Sequence, residues 1–518
     1  MLCGSAALMN ISFDMEIFKN FIIAAATFGA AIFFVACDDD DDFKISSREN
    51  GGSTQVEVPA VTKKVDQFAI DVLETYYLWN KEIAGDIKRL NPDTCTTPIA
   101  VVSDIIYREN GKEVDKWTVL MERLSDMESS VQGNSTTFGL DFAVGTISNK
   151  PGEYFLLVNY VFKDGPAAKA GIKRGDIILD YGGQAITGSN VYDIFNKTFL
   201  SLGVTGLTSE GYLDSDNVKE IPLAAVTMYE DPILMAKTFD VNGDKVGYMV
   251  YNSFDLKSAQ ALCDSCRKLK SAGIEKLILD LRYNGGGYVF TEDVLASLIA
   301  PWQNVSGKDI FQKNVYNGIL TESFKKSGYD LNEYFSSQNS TTIDGKEVTV
   351  DVTDANLNLN DLYVITTGYT ASASEGLIIG LQPYMNVNLY GETTFGKFCS
   401  GWMLAPEDIY ERASDYSLIK EWGMYVMVGK FTNVNDQNDA YPSGISPAIK
   451  VEDDPFDGCQ LGDENETMLK AVLKDLGKTY PSGTATRASI MQYDTKHIDH
   501  RPTGLSIKSI PGKFASLR

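Results

Sequence analysis

The chain has 518 residues, with 46 basic against 70 acidic side chains and a net charge of −24. That length exceeds one ordinary domain, and a 44% apolar composition gives two or three of them cores to fold around. The acidic balance argues against nucleic acid as a partner, because phosphate recognition draws on clustered Lys and Arg. The two histidines, His497 and His500, lie near the end, so a serine served by a histidine base is not expected in the main body.

Met15-Glu16-Ile17-Phe18-Lys19 opens a charged start, followed by an apolar run through Phe33-Phe34-Val35-Ala36 to Cys37. This is the layout of a secretory signal over residues 1–36, with Met15 a candidate start. Val35-Ala36-Cys37 resembles a bacterial lipobox, although Phe34 stands where Leu is usual. The resemblance makes Cys37 the lipidated first residue and places the chain in the bacterial cell envelope, lipid-anchored in the outer membrane on either face. The plainer alternatives are an unlipidated signal or one anchor helix. Asp38 to Asp42 form an acidic run that is a solvated spacer or resembles a surface-export tag, and residues 37–60 read as a flexible tether.

Five cysteines remain: Cys95, Cys263, Cys266, Cys399 and Cys459. Cys263 and Cys266 have redox or zinc spacing, but they fall on an amphipathic helical pattern with no second pair or histidine nearby. They are read as small helix residues, and no metal site is expected.

Residues 61–132 carry apolar and aromatic positions at helical spacing, including Phe68, Val72, Tyr76, Trp79 and Trp117, and read as a helical module. Residues 138–232 turn β-rich around Gly165-Pro166-Ala167-Ala168-Lys169-Ala170-Gly171-Ile172 and Gly175-Asp176. This stretch resembles the PDZ domains of secreted proteases. The resemblance makes Phe138-Gly139-Leu140 a loop whose amides capture a peptide C-terminus while the peptide adds as a strand. The alternative is a domain kept for packing or as a lid. Residues 203–218 look like an insertion within it.

From 236 to 478, strand and helix patterns alternate as in an α/β core. Lys276 to Leu281 is an apolar strand, Arg282-Tyr283-Asn284-Gly285-Gly286-Gly287 a glycine turn, and Leu362 to Ile365 a strand leading to Thr370-Ala371-Ser372-Ala373-Ser374-Glu375. Residues 302–360 read as a polar surface insertion, and 479–518 as a C-terminal tail. Ser372 at a strand–turn–helix junction presents its hydroxyl at the strand end. The Ala373 amide, at the helix N-terminus, faces any developing oxyanion, with Gly286 or then Gly287 as second donor. Lys397 serves as a base only when neutral, so burial must lower its pKa. Glu375 lies one helical turn from Ser372; it would hold the lysine charged, orient it, or bind substrate.

The segments Leu279 to Gly287, Thr370 to Glu375 and Gly391 to Lys397, with Gly444-Ile445-Ser446-Pro447, resemble the S41 peptidases, the carboxyl-terminal processing proteases. The likeness covers residues 61–478. It implies a multidomain α+β protein: a helical N-terminal module, a PDZ-like domain and a ClpP/crotonase-like α/β peptidase core. It implies a serine endopeptidase with a Ser372–Lys397 dyad, no cofactor, and a protein or peptide substrate. Lys397 follows Ser372 by 25 residues, as in that family. Where some members carry an Asp, this chain has Pro383 beside Gln382, a candidate supporting residue. A non-catalytic peptide-capturing surface protein on the same fold is the alternative reading.

Overall fold

The computed structural model describes residues 57–147, 150, 152–343, 345–480, 495–498, 505–508 and 510. Cys37, the acidic run and His500 lie outside them. Among the described residues no helix is long and apolar enough to cross a membrane.

The central sheet runs in the order Ile233–Val241, Asp244–Tyr251, Lys276–Asp280, Asp361–Thr366, Asn386–Gly391, Ile449–Lys450. Only the first pair is antiparallel. Its parallel strands are apolar on both faces because both are covered. Leu277, Leu279 and Val364 point into one core with Leu262, Leu295 and Leu377 from the helices Ser258–Ser271, Val289–Ile299 and Ala373–Leu381. The alternate residues Ile278 and Ile365 pack against Met468 and Val472 of the helix Thr467–Asp475. Cys263 and Cys266 are free, buried thiols in the first of these cores.

A second sheet has the order Gly286–Tyr288, Leu505–Ile507, Cys399–Leu404, Gly423–Thr432, Ile310–Tyr316, Asn332–Tyr334. This sheet departs from the sequence expectation twice. Residues 302–360 are not a surface insertion, since Ile310–Tyr316 is woven into the sheet with Phe311 fully buried. Only the hairpin Gln338–Ile343 with Lys346–Asp351 forms a sheet of its own. Nor does the 61–132 stretch stand apart as a helical module. Val119–Met121 adds to the edge of Gly423–Thr432, and Phe68, Tyr76 and Trp79 share one core with Trp402 and Phe398. Helical periodicity registered the buried stripe, but not that its partner is a sheet from the other end of the chain.

Residues 134–229 form the β-rich unit. Seven strands pair in the order Lys219–Ala224, Phe199–Thr205, Ile177–Tyr181, Gln184–Thr187, Glu153–Val161, Leu140–Thr146, Thr495–Ile498. Two single-turn helices, Pro166–Lys169 and Asp193–Asn196, accompany them. This unit meets the central sheet through buried charge. Arg174 donates to the Tyr283 hydroxyl at 2.6 Å and to Asp453 at 2.6 Å. Arg282 in turn reaches Asp280, Asp453 and Glu466 at 2.7–2.8 Å.

Candidate active site

The strand Asp361–Thr366 ends in a sharp turn, and the helix Ala373–Leu381 begins immediately after Ser372. Ser372 holds φ 62° and ψ −112°, a region L-residues rarely adopt, so the turn stores strain. Surrounding bonds impose it: Ala371 donates its N–H to the Asn284 carbonyl at 3.0 Å, and Phe395 to the Thr370 carbonyl at 2.9 Å. The Ser372 hydroxyl is buried and has no hydrogen-bond partner among the described residues. An orphaned buried hydroxyl is costly, so it needs a reason.

Glu375 is the clamp of the site. One carboxylate oxygen accepts from the N–H of Ser372 and of Lys397, each at 2.8 Å. The other accepts from Thr394 Oγ1 at 2.5 Å and Gly396 N–H at 2.7 Å. Burial pushes its pKa up to about 7, and these four bonds oppose the rise. Glu375 therefore grips the backbone of both loops. From the sequence Glu375 would hold the lysine charged, orient it or bind substrate; in the structure both carboxylate oxygens accept from the two loops.

Lys397 is fully buried. Its amine donates to the Tyr425 hydroxyl at 3.1 Å and lies 4.7 Å from the Trp117 ring centroid and 5.2 Å from that of Tyr425. Burial lowers its pKa to about 8, against weaker upward pulls from Cys399, Asp115 and Glu375. A lysine so placed has a substantial neutral fraction near neutral pH, which a free one lacks.

Two surrounding residues were not assigned to the site from the sequence. Trp117 was read as part of an apolar stripe; its backbone is fixed by Asp115, whose carboxylate accepts from the N–H of Trp117 and Thr118 at 2.9 and 3.0 Å. Tyr425 is opposite Val119 in the second sheet, so one strand pairing brings both rings to the lysine. No local motif marks either residue, because the contact joins segments some 300 residues apart.

The glycine turn differs from expectation. The Gly286 N–H is donated to Asn284 Oδ1 at 2.9 Å, so this first-choice oxyanion donor is already committed. Gly287, at φ 146°, passes so close to Phe254 that a Cβ would stand 2.4 Å from the Phe254 carbonyl oxygen. Phe254 pairs through the Gly286 carbonyl and the Tyr288 N–H, which by strand alternation turns the Gly287 N–H to the opposite side. Ala373 sits at the first helical position, where backbone N–H groups lack intrahelical acceptors. Gln382 is not brought to the site: it caps the far end of the helix, about 15 Å from Ser372 at 1.5 Å per residue.

In the β-rich unit, Phe138-Gly139-Leu140 leads into the strand Leu140–Thr146. The Gly139 N–H is taken by Thr137 Oγ1 at 3.0 Å, and Phe142 stacks on Phe195 at 5.2 Å.

Two parts of the chain match known families. Residues 245–451 match the model of peptidase family S41, and residues 157–195 match that of the PDZ domain. The chain carries an S41 peptidase domain and a PDZ domain. The carboxy-terminal processing protease CtpA of Bacillus subtilis is 26% identical over 357 residues, covering 68% of this chain and 63% of that one. The carboxyl-terminal-processing protease of Picosynechococcus is 26% identical over 377 residues, covering 72% and 79%. The chain thus spans under two thirds of the length of the Bacillus relative. A putative S41 protease from Bacteroides fragilis shares the fold with a TM-score of 0.60 at 23% identity, covering 79% of this chain and 96% of that one.

Proposed function

We propose that the protein is a serine endopeptidase that cuts polypeptides with a Ser372–Lys397 dyad. The observation that carries this reading is a strained serine with an unbonded hydroxyl and a buried lysine of lowered pKa, whose backbone amides one Glu375 carboxylate oxygen holds together. Neutral Lys397 Nζ takes the proton as Ser372 Oγ attacks the scissile carbonyl carbon. The proton passes to the leaving amine as the peptide bond breaks, and water then hydrolyses the acyl-enzyme by the reverse roles. The amides of Ala373 and Gly287 stabilise the oxyanion, Gly287 replacing Gly286 because the latter serves Asn284. Glu375 is a positioning residue, and Gln382 has no part.

The PDZ domain engages substrate C-termini or unfolded segments along Leu140–Thr146, beside the Phe138-Gly139-Leu140 loop. The lipobox-like Cys37 ties the chain to the bacterial envelope membrane. The test is cleavage of an unfolded protein by residues 43–518, compared with Ser372→Ala and Lys397→Ala. Loss of cleavage in both folded variants supports the dyad. Cleavage that survives Ser372→Ala ends it.

A further inference from the structure

Two short strands late in the chain lie along the edges a bound peptide would use. Thr495–Ile498 pairs antiparallel with Leu140–Thr146, from Thr495 opposite Gly145 to Ile498 opposite Phe142. It extends the PDZ sheet at the edge next to the Phe138-Gly139-Leu140 loop and runs toward that loop, as β-strand addition requires. Leu505–Ile507 then fills a gap one strand wide between Gly286–Tyr288 and Cys399–Leu404, parallel to both. That gap borders the serine turn: the Asn284 carbonyl, two residues before Gly286, accepts from Ala371 N–H at 3.0 Å and Ser374 Oγ at 3.2 Å. The Gly287 N–H, on the side away from Phe254, faces the inserted strand.

The insertion is specific in its chemistry. Ile507 is 4% exposed and joins the core of Tyr288 and Trp402. Lys508 donates its N–H to the Gly401 carbonyl at 3.1 Å, and its amine stands 2.5 Å from Glu333 Oε1. Asp293 and Glu292 lie in the same field, and burial raises the pKa of both while Lys508 pulls each back. Asp293 Oδ1 is buried with no partner among the described residues. The gap is therefore an apolar slot followed by an acidic pocket, and a lysine fills the pocket.

We propose that the strands Thr495–Ile498 and Leu505–Ile507, with Lys508, occupy in cis the path a polypeptide substrate takes, the PDZ edge and then the gap beside Ser372, and that this gap selects an aliphatic residue followed by a basic one. That the occupied path is a substrate path rests on the serine-peptidase reading; the occupancy does not. A tethered occupant competes at an effective concentration that a free peptide reaches only in the millimolar range, so the chain stays closed until a partner displaces it. A peptide that takes the PDZ edge from Thr495–Ile498 loosens the occupant of the gap as well, because the two strands are six residues apart.

The test uses the full chain carrying Ser372→Ala, so that binding is read without cleavage, and a fluorescently labelled peptide of residues 495–510. By anisotropy, the Lys508→Glu chain binds the peptide, whereas the chain with Lys508 does not. A peptide with Glu in place of Lys508 binds at least ~30-fold more weakly, the loss expected for a broken buried charge pair. The charge-swapped Lys508→Glu/Glu333→Lys chain closes again and rejects the peptide. Equal binding by open and closed chains, or by neither while Lys508→Glu melts normally, overturns the proposal. Should Lys508→Glu fail to fold, Glu333→Ala, at a partly exposed position, is the second variant. It binds the peptide but no longer distinguishes Lys from Glu, and retained discrimination overturns the selectivity. If binding follows these expectations and the opened Lys508→Glu chain with Ser372 intact still cuts nothing, the peptidase reading fails while this one stands.

Discussion

Two clusters of ionisable groups are buried about equally deeply in this molecule, and they come out opposite. At the PDZ junction, Arg174 and Arg282 meet Asp280, Asp453 and Glu466 in one network. Burial alone would raise Asp453 and Glu466, but the two guanidinium groups hold both below the usual carboxylate range. At the serine site burial outweighs the opposing partners: Glu375 rises to about 7 against four hydrogen bonds, and Lys397 falls to about 8 against the pulls of Cys399, Asp115 and Glu375. Paired charge at the junction fixes one domain on another. At the site burial prevails and leaves groups able to exchange protons near neutrality.

The largest effect belongs to the site. Ser372→Ala or Lys397→Ala should lower turnover by about 10³-fold or more, read with a short fluorogenic peptide. The same lysine should cost stability. Its folded pKa lies below its unfolded one, so the penalty is full below pH 8 and fades as pH climbs toward 10.5. Lys397→Met should then melt higher than wild type at pH 7, and an unchanged or lower melt would count against a buried charge cost. Glu375, with its folded pKa raised, shows the reverse: stability falls as pH rises from about 4.5 to about 7.

The junction should respond in the other sense. Arg282→Met strands Asp280 and Glu466 without their cation and should cost about 3–5 kcal/mol in denaturant unfolding. A cost below 1 kcal/mol would erase the contrast between the clusters. Glu375→Gln should reduce kcat roughly 10- to 100-fold with KM little changed, since an amide cannot accept four donors. Trp117→Ala should admit water to Lys397 and move the rising limb of the pH–rate profile to higher pH. A rise of one unit means about tenfold less neutral base at pH 7. The smallest effect is Cys266→Ala, a buried thiol in the apolar core far from this chemistry in sequence, which should leave kcat/KM unchanged.

The turns that carry Ser372 and Lys397 could be located because glycines and small residues mark them, and Glu375 falls in the first turn of the helix that follows Ser372. The alternating core from Asp244 to Gly391 was legible for the same kind of reason, since apolar strands and helices repeat. Trp117 and Tyr425 were not, because a strand pair between distant segments brings them to the lysine. Gly286 was misjudged because nothing in a glycine run tells which amide its Asn284 neighbour will take. Ile310–Tyr316 and Leu505–Ile507 are short and mixed in polarity, and they become strands through the sheet that receives them.

The most direct test is the pH dependence of kcat/KM on a short peptide, which reports the ionisation of the free enzyme. The account predicts a rate that climbs with pH through an apparent pKa near 8, and no measurable rate at any pH for Ser372→Ala. A profile flat from pH 6 to 10, or activity that survives the loss of Ser372, would contradict it.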